Sequence, residues 1–232
     1  MNSGVYIISA PSGSGKTTLV ERLLREVPRL HFSISYTTRA PRGQEQDGRD
    51  YFFVTRDEFQ GMITRGELLE WAEVFGNHYG TARRFLDEAE QRGNDLLLDI
   101  DTQGAAQVKE KVPGAVAIFI LPPSRAVLEF RLRHRSQDSE EVIRKRLQDA
   151  GREIFGYVRY DYVLINDQLD RSAAGLRAIV LWERWRRGSA VPQSLPSSAE
   201  SVNPDEVRQM AASCRTEHVQ AQIQPILESF GG

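Results

Sequence analysis

Short apolar runs alternate with longer amphipathic stretches along most of the chain. Val5-Tyr6-Ile7-Ile8 is continuously apolar, the pattern of a strand buried on both faces. Lys16 to Val27 follows with Leu19, Val20, Leu23 and Leu24 at helical spacing. Leu30 to Tyr36 alternates and predicts a second strand, and Tyr51 to Val54 a short one. Thr55 with Glu58 three residues on predicts a capping box that opens a helix through Thr64. Leu68 to Phe75 reads as a strand and Gly76-Asn77-His78-Tyr79-Gly80 as its turn. Gln44 to Asp50 is polar and is expected to be mobile.

A regular rhythm then returns. Phe85 to Gln91 predicts a helix stopped at Gly93-Asn94. Leu96 to Asp101 predicts a buried strand ending in acid, Gln103 to Lys111 a helix, and Val116 to Leu121 a further strand. Pro122-Pro123 breaks the chain before a helix from Ser124 to about Arg133. Ser139 opens a long helix to about Val158, Asp161 to Asp167 is the last strand with its exit, and Arg171 to Trp185 closes the unit. Positions 188–204 are rich in Ser, Pro and Ala and read as a linker. Asp205 to Phe230 predicts one amphipathic helix, broken or ended near Pro225. Five apolar strands separated by helices argue a parallel α/β sheet, whose ligands bind beyond the carboxyl ends of the strands.

Composition narrows the function classes. A net charge of −2 over 232 residues gives no support for nucleic-acid binding or a polybasic membrane contact. The single cysteine, Cys214, excludes an internal disulfide and fits a reducing compartment. No leader and no membrane-length apolar run is read, so a cytoplasmic location is expected. Monomer and homodimer both stay open.

The chemistry starts at the end of the first strand. Ala10-Pro11-Ser12-Gly13-Ser14-Gly15-Lys16-Thr17-Thr18 matches the phosphate-binding loop pattern except that Ala10 replaces the first glycine. Such a turn delivers backbone N–H groups to a helix N-terminus, an anion site by geometry and by dipole. Lys16 would reach the β- and γ-phosphates of a nucleotide, and the Thr17 hydroxyl would bind Mg²⁺. Asp99 and Asp101 end an apolar strand; paired with a phosphate loop, that pattern reads as an acidic strand that orients a metal-bound water. Strand period puts both on one side, which leaves their roles unseparated.

Glu70 lies in the apolar stretch Leu68-Leu69-Glu70-Trp71-Ala72. A buried carboxylate needs donors, and guanine offers N1–H and its N2 amino group side by side, where adenine presents an acceptor. Such a mismatch discriminates by roughly 10⁴-fold. The competing reading, a Glu70 that points to water or pairs with an arginine, fits the strand pattern equally well. Arg39 and Arg42 flank Pro41 and would clamp one phosphate, with Tyr51 and Tyr79 as added donors. The basic stretch Arg131 to Arg135, with Arg144 and Arg146 beyond it, reads as a cationic lid or as a solvated helix face.

Taken together these motifs resemble the guanylate kinase family, the nucleoside-monophosphate kinases that phosphorylate GMP with ATP. The resemblance rests on the phosphate loop, on Ser33 to Gly43, Gly48 to Phe53, Glu70-Trp71-Ala72, Gly76 to Thr81, Leu98 to Gly104 and Tyr160-Asp161-Tyr162, and covers about Val5 to Trp185. It implies a P-loop core at 1–32, 84–126 and 159–187, a β-rich GMP-binding insertion at 33–83, a helical lid at 127–158 and an extension at 188–232. It implies that Arg39, Arg42, Tyr51 and Tyr79 hold the GMP phosphate and that Ser35, Glu70, Thr81 and Asp101 read guanine. Asp99 would serve Mg²⁺ through water, Arg131, Arg135 and Arg146 would meet the ATP phosphates, and Asn166 would lie near the adenine. Lys16, Arg39, Asp99, Arg135 and Arg146 are then the expected catalytic set, GMP the acceptor with dGMP beside it, and Mg²⁺ the cofactor. Arg135-Ser136-Gln137-Asp138 departs from the family's lid, where Gly and Thr accompany the arginine. Three alternatives compete: a non-catalytic module of the same fold binding a phosphopeptide, a kinase for another monophosphate, and a generic P-loop ATPase. Intact Lys16, Thr17 and Asp99 argue against the first, Glu70 and Asp101 against the second, and the absence of a recognisable macromolecule-binding region against the third.

Overall fold

The computed structural model describes residues 3–74, 76–135, 139–189, 191 and 202–231, with the side chain of Arg135 left out. Five strands form one sheet in the order β2-β7-β1-β8-β9: β1 Val5–Ser9, β2 Leu30–Phe32, β7 Asp95–Asp99, β8 Val116–Leu121 and β9 Tyr162–Ile165. The β2·β7 and β8·β9 pairs are parallel. Every residue of β1 and β8 is buried, as their unbroken apolar runs require. By contacts the chain divides into two units, Met1–Ile7 with Arg29–Ala115, and Ile8–Pro28 with Val116–Gly232.

The first unit carries a second sheet in the order β4-β3-β6-β5, built from β3 Tyr36–Thr37, β4 Phe52–Phe53, β5 Leu68–Val74 and β6 Asn77–Ala82. The helix α2 (Arg56–Thr64) starts at the expected capping box: Thr55 and Glu58 satisfy each other's backbone N–H groups. Its Phe59 and Met62 pack with Leu68. The helix α3 (Arg84–Arg92) ends at Gly93 in a left-handed conformation, φ 62°, and α4 (Thr102–Lys111) follows β7 and packs on β5.

Several expectations change here. Leu30 to Tyr36 is two strands in two different sheets, because the chain leaves β2 after Phe32 and re-forms at Tyr36. The expected turn Gly76–Gly80 is mostly strand β6; only Gly76, φ 76°, turns. Phe75, the expected end of the preceding strand, lies outside the described residues. Positions 44–50 are tied down by hydrogen bonds from Gly48 N–H to Tyr51 O (2.8 Å) and from Phe53 N–H to Asp47 Oδ1 (2.8 Å). Asp101 is not a strand residue: β7 ends at Asp99, and Asp101 caps α4.

The second unit holds α1 (Lys16–Glu26), α5 (Arg125–Arg135), α6 (Glu140–Ile154), α7 (Leu169–Arg186), α8 (Pro204–Ser213) and α9 (Gln220–Ser229). Leu128 and Leu132 of α5 pack with Ile143, Leu147 and Ala150 of α6, and Phe230 covers them. The long helix expected to about Val158 ends at Ile154 and tightens into a 3₁₀ turn, Phe155–Arg159. The tail is two helices rather than one. The intervening segment lies on the edge of β9: Val163 N–H donates to Cys214 O (2.8 Å), and Thr216 Oγ1 donates to Tyr160 O (2.6 Å). Those bonds cover a strand edge that would otherwise be open to pairing. Pro225 falls inside α9 without ending it. Most of the expected linker, 192–201, and the departing lid residues Ser136, Gln137 and Asp138 lie outside the described residues.

Candidate functional site

Within the first unit, Arg39, Tyr51 and Tyr79 come together. Arg39 is 9% exposed. Its Nε donates to the Tyr79 hydroxyl at 3.2 Å, and the guanidinium lies 5.2 Å from the centre of the Tyr51 ring. The two tyrosine rings meet edge to face, centroids 6.0 Å apart. The planar fork of Arg39 is filled by Glu45, whose two carboxylate oxygens accept at 2.9 and 3.0 Å. That bidentate pair raises the Arg39 pKa and lowers that of Glu45. Glu45 also accepts the Arg42 backbone N–H at 2.7 Å, while the Arg42 side chain is exposed. The carboxylate in the fork shows that this guanidinium can take a planar anion through two parallel bonds. Glu45 escaped the sequence reading because its stretch looked like free polar loop; its spacing of six from Arg39 was the only signal. Burial and the nearby charge of Asp99 raise the Tyr51 hydroxyl pKa, which places the acidic end of β7 within electrostatic reach of this cluster.

A second cluster joins Glu70, Thr81 and Asp101. The pairing of β5 with β6 shifts register between Leu68 and Glu70, so Leu69 and Glu70 both turn inward and Trp71 outward. Glu70 is only 3% exposed, which excludes the reading in which it points to water. Burial pushes its carboxyl up to about 7; the donors of Thr81 oppose this, the charge of Asp101 adds to it, and Lys111 opposes it. Thr81 sits directly across the strand pair from Glu70, and its fully buried hydroxyl completes no hydrogen bond of full geometry. Asp101 Oδ1 accepts the Gly104 N–H at 2.7 Å, the N-cap bond of α4. A carboxylate this deeply buried, with the charge of Asp101 adding to its cost, would be relieved by further donors from a ligand's polar edge. Ser35 is half-buried, and its backbone carbonyl is used by the Phe52 N–H at 2.9 Å.

In the second unit the phosphate loop has the expected form. Gly13 and Gly15 sit at φ 91° and 87°, a region that Cβ-bearing residues avoid. Ala10 does not, so its methyl costs the loop nothing. Gly15 is the N-cap of α1 and no side chain caps that helix, leaving the cradle to a ligand. Ser14 N–H donates to Pro11 O at 3.1 Å. Lys16 is half-buried; Ser12, Thr17 and Thr18 are exposed.

Asn166 and Arg131 both grip this loop. Asn166 Nδ2 donates to Ser14 O at 2.7 Å; Arg131 donates to Ser14 O at 3.3 Å and to Asn166 O at 3.0 Å. A Cβ on Gly15 would stand 2.4 Å from Asn166 Nδ2, and one on Gly13 would stand 3.0 Å from Leu132. The glycines thus serve close approach as well as turning. Arg146 is half-buried on α6. Arg135 ends α5, and its side chain lies outside the described residues. Among the described residues no group of three or more His, Cys, Asp or Glu side chains could hold a metal, and no helix is long and apolar enough to cross a membrane.

Residues 2–183 match the family model described as guanylate kinase. A guanylate kinase from Koribacter versatilis is 52% identical over 233 residues, covering 99% of this chain and 97% of the relative. One from Alkalilimnicola ehrlichii is 50% identical over 80% of this chain and 92% of its own length. The crystal structure of guanylate kinase from Anaplasma phagocytophilum superposes with a TM-score of 0.64 at 34% identity, covering 84% of this chain and 90% of that one.

Proposed function

The chain belongs to the guanylate kinase family, and from that premise we propose how its residues carry out ATP-dependent phosphorylation of GMP to GDP. The observation that carries the assignment of the base site is the buried Glu70 carboxyl, which faces Thr81 across the strand pair and lies within reach of the Asp101 charge. Guanine would supply the donors this carboxylate needs, with N1–H and the N2 amino group side by side. Bound guanine favours the charged carboxylate and so draws the Glu70 pKa down. Asp101 and Ser35 complete the base site. The GMP phosphate takes the Arg39 fork from Glu45, with Tyr51 and Tyr79 as hydroxyl donors and Arg42 turning in from the surface.

ATP lies with its β- and γ-phosphates in the uncapped loop before α1, on the N–H groups there and on Lys16. Arg131 and Asn166 hold the Ser14 carbonyl, and through it the shape of that loop; this adds a role in loop geometry to the place near the adenine that the resemblance implies for Asn166. Arg131, Arg135 and Arg146 supply positive charge as negative charge spreads over the transferring group, an effect worth roughly 10³–10⁵ in rate in related chemistry. The GMP phosphate oxygen attacks in line and is already anionic, so no strong general base is required.

The donor set fits magnesium. The Thr17 hydroxyl and the Asp99 carboxylate are each a hard oxygen, the donor type that an ion keeping its water and substrate phosphates takes. When bound, Mg²⁺ neutralises phosphate charge; Thr17 would contact it directly and Asp99 through water. The test is coupled ADP release with ATP and Mg²⁺ across GMP, dGMP, AMP, CMP, UMP and TMP. Turnover confined to GMP and dGMP is expected. Comparable turnover with AMP would overturn the base assignment.

A further inference from the structure

A carboxylate that reads a base through two hydrogen bonds must hold its position to a fraction of an ångström. The wall that sets this position is the first turn of α4. A Cβ on Gly104 would stand 2.4 Å from Glu70 Oε2, 3.1 Å from Glu70 Cδ and 3.4 Å from Asp101 Oδ1. The same residue's N–H is the donor that orients Asp101, at 2.7 Å. One glycine therefore meets both acids, with its amide on one and its missing side chain beside the other.

The helix has little freedom to back away. Gln107, one turn on, donates to Trp71 O at 2.6 Å and accepts from Trp71 N–H at 3.3 Å. Lys111 donates to Leu69 O at 2.7 Å. These bonds anchor α4 to the residues on either side of Glu70. Backbone freedom does not explain the glycine, since Gly104 is not among the residues with positive φ. Helix propensity argues against it, because glycine is a poor residue inside a helix. What remains is space.

We propose that Gly104 is a specificity-determining positioning residue: its lack of a side chain lets the Glu70 carboxylate occupy the place from which it reads guanine. The inference rests on the reading of Glu70 as the guanine partner. A methyl group at 104 meets the far end of a flexible side chain, which moves more easily than the backbone of α4 or β5. The fold should therefore survive and the base reading fail.

The experiment is Gly104→Ala in the wild-type and Glu70→Asp backgrounds, with Glu70→Ala as reference. Displacing the carboxylate by about 1 Å is expected to raise the GMP KM by tenfold or more, with the ATP KM changed less than about twofold. Aspartate is one methylene shorter, so in the Glu70→Asp background the same change should cost about twofold or less. Equal costs in both backgrounds overturn the proposal, because the methyl would then act without the carboxylate. If Gly104→Ala does not fold, the double variant Glu70→Ala/Gly104→Ala decides. A folded double variant supports a clash with the carboxylate; an unfolded one places the clash in the backbone and ends the proposal. If Glu70→Ala leaves GMP preference intact, the reading of Glu70 fails and the inference with it. If Glu70→Ala abolishes preference while Gly104→Ala preserves it, only the role of Gly104 fails.

Discussion

Replacing Glu70 with glutamine exchanges binding for stability, and pH separates the two effects. The side chain keeps its size and loses its charge. In the folded protein, burial raises this carboxyl from 4.5 to about 7. At roughly 1.4 kcal/mol per pH unit, that rise amounts to about 3 kcal/mol. The folded state binds the proton more tightly than the unfolded state. The stability this confers is therefore complete below the unfolded pKa and lost as pH rises through about 7. Urea unfolding of wild type and Glu70→Gln at pH 4.5, 6, 7 and 8 should give curves that diverge with pH, the variant gaining about 3 kcal/mol relative to wild type by pH 8. GMP affinity should move oppositely. Wild-type affinity should climb with pH toward a plateau above about 7, as the carboxylate becomes available to guanine. The variant should bind GMP weakly. The substrate's own phosphate titrates near pH 6, and it does so identically in both proteins, so their ratio isolates Glu70. Parallel unfolding curves would refute the premise that Glu70 carries a buried, raised carboxyl. Divergent curves with unchanged GMP binding would refute its role in base reading.

Arg39→Lys keeps the charge and loses the fork; steady-state kinetics should show the GMP KM raised about 10- to 100-fold with the ATP KM little changed. Asn166→Ala removes the amide that holds Ser14 O, so the ATP KM should rise about tenfold while the GMP KM stays put; an effect on GMP alone would place Asn166 elsewhere. Glu183 is buried and accepts from the Tyr162 hydroxyl, Arg186 and Arg215. Glu183→Ala should cost about 1–2 kcal/mol in urea unfolding, chiefly from the Tyr162 hydroxyl left without its acceptor, with activity per folded molecule preserved.

What the sequence discloses depends on how local the cause is. The phosphate loop, the capping box at Thr55 and the strands β1 and β8 were legible because each is determined by a few adjacent residues. The strand β6 was not: Asn77-His78-Tyr79-Gly80 has turn composition, and only pairing with β5 and β3 makes it extended. Glu45 was missed for the same reason, since its meaning comes from Arg39 across a loop. The orientation of Glu70 could not be read from alternation, because the register shift beside it breaks the period of two on which alternation depends. The tail's role was hidden because it lies in hydrogen bonds to the edge of β9, a partner more than fifty residues earlier in the chain.

Asp99 and Asp101 illustrate how a shift of secondary structure divides labour. Two residues apart on one strand, they would share a face and an environment. The chain instead leaves β7 at Asp99 and starts α4 directly after Asp101. Asp101 is thereby turned to cap a helix whose first turn stands against Glu70, and its charge is felt there. Asp99 stays at the strand end, where its charge is felt by Tyr51 of the Arg39 cluster. One acid thus bears on the Glu70 cluster and the other on the Arg39 cluster, although their sequence neighbourhood is the same. The separation depends on Asp101 holding the N-cap, so Asp101→Asn, which also caps well, should preserve the helix while removing the charge that raises the Glu70 carboxyl. The Glu70 transition in the unfolding experiment should then move to lower pH. A transition left in place would mean that burial alone sets it.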